Sequence, residues 1–73
     1  MNLNAQLTER QKEVVQRLAE EENIKGIAFD LKVSPKAIEN RVALAKKKVG
    51  CFSLIGLVRF AFETGLVKLQ MKS

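Results

Sequence analysis

A chain of 73 residues with one cysteine and no histidine can form no internal disulfide and lacks the commonest metal ligand and general base. Its 47% apolar and 29% charged residues fit a folded domain rather than a disordered tail. The net charge of +5 is unevenly placed: residues 1–31 carry four basic and six acidic side chains, residues 32–73 nine basic and two acidic. An acidic half joined to a strongly basic half is the electrostatic footprint of a polyanion-binding module.

No enzyme is expected. There is no Cys–His or Ser–His pair and no phosphate-binding glycine loop, so neither cofactor, metal nor small-molecule ligand is anticipated. Met1 to Gln6 lacks the basic and apolar regions of a signal peptide. The longest charge-free apolar run, Cys51 to Val58, is too short to span a bilayer. The expectation is a soluble, cytoplasmic protein with no membrane partner.

In chain order, the pattern predicts four helices over residues 8–21, 24–31, 35–49 and 54–64, all in one domain spanning 1–73. The first opens on Thr8 with Gln11 three residues on, the spacing of a capping box, and Leu7 stands where a hydrophobic staple belongs. Val14, Val15, Leu18 and Ala19 then recur at helical spacing. Asn23 caps a short second helix whose Ile24, Ile27, Ala28 and Leu31 share a face. After Lys32-Val33, Ser34-Pro35 supplies an N-cap followed by proline at the first helical position, where its missing N–H costs nothing. Gly50 ends the third helix, and Ser53 caps the fourth.

The third helix has two distinct faces. At 100° per residue, Ile38, Val42, Ala45 and Val49 fall within about 60° of one another and form a core stripe. Opposite lie Lys36, Asn40, Ala43 and Lys47, with Glu39 and Lys46 on one shoulder and Arg41 and Lys48 flanking the core stripe on the other side. A bidentate-capable amide, a small residue permitting close approach and cations at both ends are the types that read base edges and grip phosphates. A short helix, a tight turn and then such a basic helix is a helix-turn-helix arrangement.

The segments "LTERQKEVVQRLAE", "IKGIAFDLKVSPKAIENRVALAKKKVG" and "LVRFAFETGLV" together resemble the LuxR/GerE-type DNA-binding domain, without gaps from Leu7 to Val67. Leu7-Thr8, Arg10, Glu13-Val14, Lys25, Ile27-Ala28, Ser34, Lys48, Gly50, Ser53 and Leu57-Val58 carry that resemblance. It implies an all-α, four-helix fold whose third helix enters the major groove of double-stranded DNA and whose fourth commonly makes a dimer contact. By the resemblance, Glu39, Asn40 and Ala43 occupy base-facing positions, and Lys25, Lys36, Lys46 and Lys47 are placed for phosphates. Arg41, on the flank of the same helix, joins the phosphate set.

The departures are specific. Ala37 replaces a customary threonine, removing a hydroxyl that can reach a phosphate, and Glu39 replaces a basic residue. Arg41 stands for a histidine, and Cys51 for a valine. Glu21 stands where the family has glycine after the first helix, which predicts a differently shaped helix end. "AIENRVALAKKKV" is also similar to the second half of sigma-factor region 4, a helix-turn-helix that recruits polymerase.

Along the fourth helix the apolar residues from Leu54 to Phe62 span about 160°, more than the roughly 100° that a packed helix needs. Two readings stay open. Phe52, Phe60, Leu66, Val67 and Leu69 cover the excess within one chain, or a two-fold homodimer forms through Leu54, Ile55, Val58 and Phe62. Cys51 is expected to be a small buried hydrophobe. The expected function is sequence-specific DNA binding by a free-standing transcription regulator, with no receiver or ligand-binding domain. The alternative is a protein-interaction module of the same fold that binds RNA polymerase or another regulator and reads DNA little.

Overall fold

The computed structural model describes residues 1–67, so Leu69 lies outside the described part of the chain. All regular structure among these residues is helical: α1 Glu9–Ala19, α2 Ile24–Leu31, α3 Pro35–Val49 and α4 Leu54–Glu63. No described helix is long and apolar enough to cross a membrane.

Each helix starts on a side-chain cap that the sequence encodes locally. Thr8 Oγ1 accepts from Gln11 N at 3.1 Å while Gln11 Oε1 accepts from Thr8 N at 2.9 Å, completing the capping box. Asn23, Ser34 and Ser53 each accept from the backbone N–H three residues on, at 2.7, 3.1 and 3.1 Å.

The end of α1 differs from the expectation in length and in cause. The helix stops at Ala19 rather than residue 21 because Glu21 adopts a left-handed conformation, φ 66°. Glu22 N then donates to Arg17 O at 3.0 Å and Glu21 N to Leu18 O at 3.0 Å, a Schellman turn. The turn that glycine favours therefore forms with a glutamate in it, at a local cost of roughly 1 kcal/mol.

Lys32 does the same after α2, with φ 58° and Val33 N donating to Ala28 O at 3.0 Å. This left-handed step makes the connection to α3 only three residues long and turns α3 across α2. Gly50 closes α3 at φ 79°.

The core is formed where the four stripes meet. Ile38, Val42, Ala45 and Val49 of α3 are buried against Val14 and Val15 of α1, Ile27 and Ala28 of α2, and Leu57, Phe60 and Ala61 of α4. Leu7 closes one end, and Leu18, Ile24, Leu31, Leu66 and Val67 pack half-buried around the rim. Helix α3 touches all three others, so its buried stripe fixes which of its faces is left to solvent.

Two links tie distant segments to this core. Arg17 pairs with Asp30 at 3.0 Å and with Glu13 and Glu22 at 3.5 Å, clamping α1 to α2. Its guanidinium is held above its ordinary pKa chiefly by the hydrogen bond it donates to Asp30, against a smaller opposing desolvation. Gln16 Nε2 donates to Leu66 O at 3.2 Å and anchors the segment beyond α4.

Candidate nucleic-acid interface

The outward face of α3 follows from its buried one. With Ile38, Val42, Ala45 and Val49 inside, Lys36, Asn40, Ala43 and Lys47 are all exposed. Lys36 and Lys47 lie roughly 16 Å apart along the axis at 1.5 Å per residue, with Asn40 and Ala43 between them. Cations at both ends and a small, amide-bearing middle can span a groove between two phosphate strands. Neither lysine is in an ion pair among the described residues.

Glu39 and Lys46 sit apart from this centre. Both line an apolar groove of about 260 Å³ with Leu18, Ile24, Val42 and Leu54. Glu39 is exposed and forms no ion pair with Lys36 or Lys46 among the described residues. Lys46 is half-buried, its stem along the groove. Arg41 is half-buried on the other flank of α3, and Lys25 stands exposed in the first turn of α2.

Lys48 belongs elsewhere. Its Nζ donates to Gln11 Oε1 at 3.2 Å and to Gln6 O at 3.4 Å, so the last charge of the Lys46-Lys47-Lys48 run is turned toward the start of α1. Two residues of this surface escaped the sequence reading. Lys32 is exposed at the left-handed turn beside the α3 N-terminus. Leu44 is 54% exposed, and the angular count that grouped Lys36 with Lys47 also places Leu44 within about 40° of Asn40.

On α4 the described structure separates two apolar stripes. Leu57, Phe60 and Ala61 are buried, while Leu54, Ile55 and Phe62 are exposed, with Val58 half-buried among them. Phe60, Leu66 and Val67 pack on the core as the single-chain reading requires, but Phe52 is fully exposed and Ile55 remains 81% exposed. The apolar excess is therefore not covered by the described residues. Cys51 is half-buried and packs against the edge of the core as a small hydrophobe, its thiol 3.7 Å from Ser53 O.

A short helix, a left-handed turn and a longer basic helix packed across it, held by a first and a fourth helix, define a helix-turn-helix domain of the kind found in DNA-binding transcription regulators. The family described as "Bacterial regulatory proteins, luxR family" matches residues 5–61, and the chain belongs to that family. The solved structure of the transcription factor GerE superposes with a TM-score of 0.81 at 26% identity, covering 96% of this chain and 100% of that one. The Vibrio cholera VqmA–ligand–DNA complex matches with a TM-score of 0.80 at 27% identity, covering 90% of this chain but only 29% of that chain. No curated sequence matches.

Proposed function

We propose that the protein is a transcription regulator that binds double-stranded DNA sequence-specifically, with α3 in the major groove. The observation that carries this reading is the exposed row Lys36, Asn40, Ala43, Lys47, polar and basic directly opposite the buried stripe of the same helix. Asn40 reads a base edge, Ala43 lets the helix approach closely, and Glu39 at the shoulder accepts from a cytosine amine. Lys25, Lys36, Arg41, Lys46 and Lys47 hold phosphates. Residues 1–73 act as one such domain. The DNA contained in the VqmA complex supports the same use of the fold here.

A homodimer through Leu54, Ile55, Val58 and Phe62 belongs to this proposal. It would present two α3 helices to successive turns of DNA, and the exposed apolar stripe of α4 supports it. The experiment is selection of binding sites from random duplex DNA, followed by Asn40→Ala. Loss of about 1–3 kcal/mol at one position of the selected site, with little change on random duplex, is expected. Failure to enrich any sequence would overturn the reading.

One observation favours a second reading, a protein-interaction module that binds RNA polymerase or another regulator. Phe29 on α2 is 83% exposed between Lys25 and Lys32, and Phe52 is also bare. Neither aromatic belongs to the α3 row. Retained protein binding with no duplex binding at low salt would select this alternative.

A further inference from the structure

We infer that Leu44 is a specificity residue that contacts a thymine methyl group beside the base read by Asn40. This rests on the proposed placement of α3 in the major groove. An exposed leucine alone signifies little, since single apolar residues are common on protein surfaces; its position is what matters here. Leu44 packs neither within the core nor against its rim. It lies one helical turn beyond Asn40, about 6 Å along the axis. Helical side chains lean toward the N-terminus, so its isobutyl group covers the turn that carries Asn40.

Nor is Leu44 an outlying part of the apolar stripe on α4. That stripe begins at Leu54, which meets α3 at the Glu39–Lys46 shoulder. Leu44 is about 140–160° round the helix from both of those residues. Around it on its own side stand the exposed Asn40, Lys47 and Lys48, with Ala37 and Arg41 half-buried, and no large apolar side chain of α3 is near.

The chemistry of an A·T pair fits this neighbourhood. An asparagine amide pairs with adenine N6 and N7, and the thymine C5-methyl projects into the same groove as an apolar target. Asn40 and Leu44 together would distinguish adenine with an adjacent thymine from any G·C alternative. The hydrogen-bonding groups of uracil are those of thymine, and only the methyl is missing, so deoxyuridine isolates the contact.

The test uses the full chain and the duplex that it enriches from a random pool, with each thymine replaced in turn by deoxyuridine. One replacement should weaken wild-type binding about fourfold, the effect of removing one buried methyl. Leu44→Ala should bind thymine and uracil duplexes equally, at the weaker level, with unchanged helicity. If every replacement affects wild type and Leu44→Ala alike, the inference is overturned while the DNA reading stands. If Leu44→Ala instead abolishes self-association in sedimentation without changing uracil sensitivity, Leu44 serves a protein contact and the inference is again overturned. If no duplex is enriched at all, the DNA reading falls and this inference with it.

Discussion

Lys48 Nζ lies 3.2 Å from Gln11 Oε1, and the same oxygen accepts from the backbone N–H of Thr8. One buried glutamine thus joins the capping box of α1 to the last turn of α3, and it takes one lysine out of a run of three. Lys48→Ala should therefore act on folding, costing about 1 kcal/mol in urea denaturation for the lost charge-assisted bonds. The salt dependence of DNA binding should not move. A flattened salt dependence with unchanged stability would place Lys48 on the DNA instead.

Gly56 is where α4 passes close to the α3–α4 connection. A Cβ added there would meet the Cys51 Cβ at 2.9 Å and its sulfur at 3.5 Å. Gly56→Ala gains about 1 kcal/mol of helix propensity, yet it must push the α3–α4 connection outward, costing roughly 1–3 kcal/mol. Net destabilisation and a lower Tm are expected. Cys51→Ala should not relieve it, because the clash is with the Cβ that alanine keeps. A raised Tm for Gly56→Ala would show that the connection yields freely.

The exposed stripe of α4 predicts self-association. Sedimentation should show a dimer, and Ile55→Asp should give a folded monomer, because a charge at a buried, dehydrated contact is strongly unfavourable. Ile55 is largely exposed in the single chain, so the variant should keep its far-ultraviolet spectrum. A wild type that sediments as a monomer at high micromolar concentration, alone and on DNA, would end the dimer account.

Much of this was legible because it is local. The caps at Thr8, Asn23, Ser34 and Ser53 need only three or four consecutive residues to declare themselves, and the stripe Ile38, Val42, Ala45, Val49 is read within a single helix. The illegible parts depend on distance or on strain. Gln11 lies 37 residues from Lys48, so no pattern within α3 reveals that this charge is engaged. The residue type of Glu21 gives no sign of a left-handed turn, and only the glycine customary at that position in the resembling family points to one. The split of α4 into a buried and a bare stripe required knowing that Phe60 turns inward while Ile55 does not.

Glu39 provides a sharper question than its neighbours, since a carboxylate beside phosphates is unfavourable unless it gains a donor. With no ion pair to temper it among the described residues, a cytosine amine is the donor that the proposed groove offers. Glu39→Gln should cost about 1–3 kcal/mol at one position of the selected site and little on random duplex. Uniform tightening on every duplex would show that Glu39 only repels phosphate.

In the proposed complex the outward face of α3 lies against the DNA backbone, with Lys47 at its end and Lys46 on the adjoining shoulder. The salt dependence of duplex binding tests this claim most directly, because each phosphate contact contributes about 0.9 to the slope of log affinity against log salt. Wild type should lose affinity steeply as salt rises, and Lys46→Ala with Lys47→Ala should flatten the slope by about two. A slope left unchanged by that double substitution would contradict the claim and remove the end of α3 from the interface.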